Sequence, residues 1–97
     1  MPAYVIVDVD VHDAKSYEDY KRQTPATLEK YDGRFVVRGG RCESLEGDWA
    51  PGRIVVLEFQ SVEQARKWWS SPEYAPAKAL RHRTASTRMI VVAGYAP

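Results

Sequence analysis

Residues 3–11 read AYVIVDVDV, a strict alternation in which Ala3, Val5, Val7, Val9 and Val11 share one face and Tyr4, Ile6, Asp8 and Asp10 share the other. This period of two predicts a β-strand whose valine face is meant for a core. The opposite face also carries large apolar groups, Tyr4 and Ile6, so the sheet that this strand joins has two sides to cover.

From Asp13 the period changes. Tyr17, Tyr20, Thr24, Leu28 and Tyr31 recur at three- and four-residue steps behind Asp13, a fit N-cap residue, and predict a helix with an aromatic stripe. Pro25 lacks an N–H and clashes with the preceding turn, which predicts a kink or break at Thr24-Pro25, with Thr24 capping a second segment. Asp32-Gly33 supplies a chain reversal. Arg34–Arg38 (RFVVR) is a short β run, Gly39-Gly40 predicts a bulge or bend, and Cys42 to Leu45 reads as a second short extended piece before the turn-rich EGDWAPG.

Arg53 to Gln60 (RIVVLEFQ) is a third strand, and Ser61-Val-Glu-Gln64 matches a capping box that opens a helix. On that helix Val62, Ala65 and Trp69 fall on one face with Trp68 at its margin, which predicts Trp69 as the buried indole. Ser71-Pro72-Glu73 signals a further start, continued by Tyr74, Ala77 and Leu80 or Arg81, with Pro76 past the favourable first positions. Thr87 to Ala93 is an apolar fourth strand, and Gly94 to Pro97 reads as a frayed tail.

The order is βαββαβ with an added short helix in 97 residues, a length that predicts a single domain over residues 1–97. A split βαβ arrangement assembles it economically: α+β, a four-stranded antiparallel sheet, both main helices on one face, and the first and third strands at the centre. Helices cover only one side of that sheet. The other side carries Tyr4, Ile6, Val36, Ile54, Val56, Ile90 and Val92, and a contiguous apolar surface of this kind marks an interface. The expectation is a homodimer packed sheet face to sheet face.

That face also receives charge. Asp8 and Glu58 are in phase with Ile6 and Val56, Arg34 and Arg38 with Val36, and Arg88 with Ile90. The set reads either as ion pairs that fix subunit register or as a polar cleft with chemistry, because both arrangements perturb carboxylates and bases alike.

Fourteen Lys and Arg against thirteen Asp and Glu give a net charge of +1, which provides no field to draw the chain onto nucleic acid or an anionic membrane. The single cysteine, Cys42, excludes an intrachain disulfide and a redox pair. With no basic leader before an apolar stretch, and no apolar run near the ~20 residues that cross a bilayer, the expectation is a soluble cytoplasmic protein. A chain this small is also expected to borrow walls from a partner for any large site.

The stretches MPAYVIVDVDV, RFVVRGG, LEGDW, RIVVLEF, the segment from Ala65 to Trp69, and SPEY cover nearly the whole chain and together resemble the bacterial domain of unknown function 1330 family. The resemblance implies a ferredoxin-like fold of the dimeric α+β barrel class and no established activity. The family's recurring positions correspond here to Arg38, Gly39, Gly40, Glu46, Gly47, Glu58, Phe59, Trp68, Ser71, Pro72 and Tyr74. Trp69 stands where a tyrosine is common, and Cys42 and His82 fall outside the shared motif, which discounts both as catalytic groups.

No metal motif is present, since His12 and His82 each lack a second ligand at suitable spacing. No cofactor is implied. Gly39-Gly40 lacks the continuation of a phosphate loop, and the third strand has one aromatic residue and a carboxylate where an RNA-recognition sheet needs a basic-aromatic motif. Ser61 and Ser71 are explained by capping, and Cys42 has no activating histidine nearby.

What remains is Glu58 as a candidate general base with Arg38 as an oxyanion stabiliser, beside a ligand cleft formed by Tyr20, Trp68, Ser71 and Tyr74. The alternative makes the aromatics core and Glu58 an ion-pair member. The sequence therefore predicts a homodimer with a small-molecule cleft and an undecided reaction, or else a non-catalytic ligand-binding or interaction module.

Overall fold

The chain runs as β1 (Ala3–Val11), α1 (Ala14–Lys30), β2 (Arg34–Arg38), β3 (Arg53–Phe59), α2 (Val62–Trp69), α3 (Ala75–Thr84) and β4 (Ala85–Ala93). These elements come from a computed structural model that describes residues 1–96; Pro97, the end of the expected tail, lies outside the described residues. The strands form one antiparallel sheet in the order β2-β3-β1-β4, which puts the first and third strands at the centre as the crossover argument requires.

The alternation of β1 sets the layers. Val5 lies opposite Leu57 and Val91, Val7 opposite Val55 and Met89, and these positions face the helices. Val5, Val7, Val9, Leu57 and Phe59 are all buried there against Tyr17, Tyr20, Leu28, Trp68 and Tyr74. The other face stays open in one chain: Ile90 is 59% exposed, Val36 48% and Val92 43%.

Local signals work where they depend on neighbours in sequence. Asp13 Oδ1 accepts from the Ser16 amide at 3.2 Å, and Ser61 Oγ accepts from the Gln64 amide at 3.0 Å, so both helices begin where their caps stand. At the end of α1, Asp32 adopts a φ of 57° and the Gly33 amide reaches back to the Leu28 carbonyl at 2.8 Å. A side chain at Gly33 would meet the Phe59 ring at 2.5 Å, so only glycine lets the reversal close over the core.

Four expectations are corrected. First, α1 continues unbroken through Pro25. The Lys21 carbonyl, which Pro25 leaves without an amide partner, accepts instead from Arg38 Nη2 at 2.7 Å, and Thr24 Oγ1 adds a bond to the Tyr20 carbonyl at 2.7 Å. Second, β2 is not a plain run: its register shifts at Val36, between Phe35 and Val37, and the bend expected at Gly39-Gly40 follows at Gly39, whose φ is 71°. Third, Cys42 to Leu45 forms no strand: the segment is exposed along its length and joins no ladder of the sheet.

The fourth concerns the tryptophans. Trp68 is fully buried and Trp69 is 46% exposed. The buried stripe of α2 is Ala65 and Trp68, three residues apart, and the Trp68 indole N–H donates to Thr27 Oγ1 at 3.0 Å. Trp69 turns outward, where Lys78 Nζ sits 3.8 Å from its ring centre. In α3, Pro76 falls within the first turn, where its missing N–H costs nothing, and the helix is regular from Ala75. Ser71 caps the turn before it, accepting from the Tyr74 amide at 3.1 Å.

Candidate functional site

Tyr74, Ala77, Arg81 and Thr84 follow one another at three- and four-residue steps, and all four are buried. This stripe carries a guanidinium into the interior: Arg81 is 3% exposed. Its Nε donates to the Tyr74 hydroxyl at 3.3 Å, its Nη1 to Thr87 Oγ1, and its Nη2 lies 3.3 Å from His82 Nε2. Tyr74 in turn shares a 2.7 Å hydrogen bond with Tyr20. Burial, with the Tyr74 phenol beside it, pushes the Tyr20 hydroxyl far above its ordinary range, so Tyr20 is a neutral group at physiological pH.

Arg81 stands where two cavities meet. On one side lies a groove of about 610 Å³ between α2, α3 and β4, with apolar walls from Val5, Trp69, Met89 and Val91. Its polar groups are few: Ser70, Thr87 and His82 beside the basic Arg66 and Arg81. On the other side, between the helices and the sheet, is a small cavity of about 30 Å³ that shares Arg81 and Met89 and also touches Tyr17, Tyr20, Arg38 and Arg53. The groove lies within the ~300–1,000 Å³ usual for small-molecule sites. All the residues that line it belong to one chain.

Burial and the positive charges of Arg81 and Lys78 hold the His82 imidazole below its ordinary value. An uncharged His82 suits the 3.3 Å contact, in which its ring nitrogen accepts from the guanidinium.

The residues expected to act together are dispersed. Glu58 lies on the outer face of the sheet, its Oε1 2.7 Å from Arg34 Nη2, beside a surface depression of about 320 Å³ that Asp32 also lines. Arg38 lies opposite Val55 on the helix side, where its guanidinium covers the Phe35 ring at 4.2 Å. The extra residue at Val36 reverses the alternation between Arg34 and Arg38, so Glu58 and Arg38 face opposite sides of the sheet. Asp8 and Arg88 pair on the outer face at 3.1 Å. Asp8–Arg88 and Arg34–Glu58 are thus ion pairs within one chain.

Tyr20, Trp68, Ser71 and Tyr74 do come together, in an aromatic cluster whose Trp68 and Tyr74 ring centres are 4.1 Å apart. Trp68 and Tyr74 are fully buried, and Ser71 Oγ is occupied by the Trp68 carbonyl at 2.7 Å. Arg81, Thr87 and Met89, which carry the groove, were not among the expected site residues. The spacing from Tyr74 through Ala77 already allowed Arg81 on the inner stripe, but an arginine there reads as less fit for burial than Leu80.

The domain of unknown function (DUF1330) family matches residues 2–95. This chain belongs to that family. No curated protein matches it. Among solved structures, a protein of unknown function from Rhodopseudomonas palustris is 22% identical, with 99% of this chain and 84% of that one covered and a TM-score of 0.78. SnoaB, a cofactor-independent oxygenase from Streptomyces nogalater, is 13% identical, covering 99% of this chain and 95% of that one with a TM-score of 0.67. A dimeric protein of unknown function and ferredoxin-like fold from Bacteroides fragilis is 16% identical, covering 93% of each chain with a TM-score of 0.62. At these identities the likeness establishes the fold: this DUF1330 chain is an α+β, ferredoxin-like protein. Among its described residues no helix is long and apolar enough to cross a membrane.

Proposed function

We propose that this DUF1330 protein is a single-domain homodimer that binds a small molecule in the groove between α2, α3 and β4. The observation that carries this reading is the groove itself: about 610 Å³, walled by Val5, Trp69, Met89 and Val91, with Arg81, bonded to Thr87 and beside His82, on its lining. A cavity with apolar walls and a few convergent polar groups is the usual form of a ligand site. That SnoaB, of similar fold, is a cofactor-independent oxygenase supports a small-molecule reading and leaves the reaction open.

The dimer reading rests on the outer sheet face, where Ile90, Val36 and Val92 are exposed around the paired charges of Asp8–Arg88 and Arg34–Glu58. The dimeric state of the similar Bacteroides fragilis protein supports it. A single exposed cysteine, Cys42, fits a reducing, cytoplasmic setting. Glu58 and Arg38, on opposite faces, do not form one acid–base pair in this reading.

Native mass spectrometry of protein taken directly from cells tests the groove. The expected result is a retained small molecule that is lost in Ser70→Trp, where an indole at the rim fills the groove. Retention of the same molecule by a folded Ser70→Trp protein places the site elsewhere.

A further inference from the structure

Arg81 is a buried cation without an anion. It is 3% exposed, and the partners of its guanidinium, Tyr74, Thr87 and His82, are all neutral groups. The ion pairs among the described residues are formed by other side chains, and none includes Arg81. A guanidinium does not shed its charge by deprotonation, so burial without a counter-ion leaves a standing cost that an incoming anion removes. Tyr20, held neutral by its burial, supplies no compensating charge.

The surroundings repeat the sign. Arg66 lines the groove, Arg38 and Arg53 line the small cavity behind Arg81, and no Asp or Glu among the described residues lines either. Arg53 adds an independent observation: its Nε is buried and has no hydrogen-bond partner. The whole chain carries only +1, so this concentration of basic groups is local to the cavities. The small cavity, at about 30 Å³, has room for little more than a water. An organic ligand therefore has to lie in the groove and reach Arg81 from that side.

Resting on the groove reading above, we propose that the ligand is an apolar carboxylate, its head against the Arg81 guanidinium and the Thr87 hydroxyl and its body along Val5, Met89, Val91 and Trp69. The planar fork of an arginine matches a carboxylate, and a charge-assisted pair made to a guanidinium as buried as that of Arg81 is stronger than the same pair in solvent. The apolar walls then select the body of the molecule by area.

The test uses the full chain with three probes of one shape: 4-phenylbutyrate, its amide 4-phenylbutyramide and the amine 4-phenylbutylamine. Affinity is measured by titration, and the site is located by backbone amide shifts in nuclear magnetic resonance spectra. The expected result is binding of the carboxylate about tenfold or more tighter than the amide, the amine weakest, with shifts at Ser70, Thr87 and Met89. Because Arg81→Met risks the fold, Thr87→Val is the second variant; it should weaken the carboxylate and leave the amide unchanged. Equal affinity for carboxylate and amide, with shifts in the groove, overturns the carboxylate inference and leaves the groove standing. Shifts confined elsewhere, or no saturable binding of any probe into the millimolar range, overturn both.

Discussion

Arg38 Nη2 donates to the carbonyl oxygen of Lys21 at 2.7 Å, and Lys21 stands four residues before Pro25. In an uninterrupted helix that carbonyl would accept from the amide of residue 25, which proline lacks. A side chain from β2 thus replaces a backbone donor and lets α1 run on as one helix. The role follows from the extra residue at Val36, which turns Arg38 from the outer face toward α1.

Arg38→Ala should therefore cost about 1 kcal/mol of folding stability, the usual net worth of one hydrogen bond. In a Pro25→Ala background the backbone regains an N–H at that position, which can take over the Lys21 carbonyl, and the same substitution of Arg38 should cost clearly less. Urea denaturation of the four proteins in this double-mutant cycle measures the coupling. Equal costs in both backgrounds would refute the assignment.

Trp68 and Trp69 provide a second contrast. Trp68→Ala removes a fully buried indole that packs on Phe59 and Tyr74 and bonds to Thr27, and should cost about 3–5 kcal/mol. Trp69→Ala loses mainly its contact with Lys78, a cation–π interaction worth roughly 0.5–1 kcal/mol at an exposed site. Thermal unfolding of the two variants distinguishes them, and a reversed order would put the wrong indole in the core.

These two elements also mark what the sequence makes legible. The alternation of β1 and the caps at Asp13 and Ser61 are written in adjacent residues, so strand, helix starts and layer order follow from them. The faces of Arg38 and Trp69 are not. A one-residue bulge depends on the partner strand, and neighbouring positions on an eight-residue helix differ by only ~100°, so α2 can present either tryptophan until the sheet and Thr27 select one. Arg81 is the sharper case: its spacing was visible, but its burial is set by Tyr74 and Thr87, which approach from a turn and a strand outside α3.

Asp8 predicts an acid-sensitive loop. Burial alone would raise its carboxyl, but donation from the Trp49 indole, the Gly52 amide and Arg88, together with the Arg88 charge, overcomes this and holds it below its ordinary value. Unfolding returns it to ~3.9. A depressed carboxylate contributes stability above the unfolded value, and that contribution is lost as pH falls through the folded one. Stability of the wild type should thus decline below about pH 4, with Trp49 emission changing in step, and Asp8→Asn should flatten this limb. An unchanged acid limb in Asp8→Asn would rule the contribution out.

His82 reports on the groove. Burial, with the charges of Arg81 and Lys78, places its titration below the ordinary ~6.5. The folded state then binds fewer protons than the unfolded chain just below that pH, so the His82 contribution to stability falls as pH drops through this window. Removing one like charge in Lys78→Gln should raise the His82 value, and so should a carboxylate bound at Arg81. Imidazole proton shifts followed against pH measure both, and a downward move in either case would contradict the arrangement.

The outer face gives the last prediction. Ile90 is 59% exposed in the single chain, on a surface it shares with Val36, Val56 and Val92. A lysine there meets water in a monomer and costs the fold little, but it places an unpaired charge inside a sheet-to-sheet interface, where desolvation is expensive. Light scattering at micromolar concentration should give the wild type twice the 11.0 kDa chain mass and Ile90→Lys the mass of one chain, with unchanged circular dichroism. A wild type that scatters as a single chain would leave this face bare and remove the dimer. Ile90 also borders the groove between α2, α3 and β4, so whether binding survives in a monomer is read in Val92→Lys, at an outer-face residue that does not line the groove.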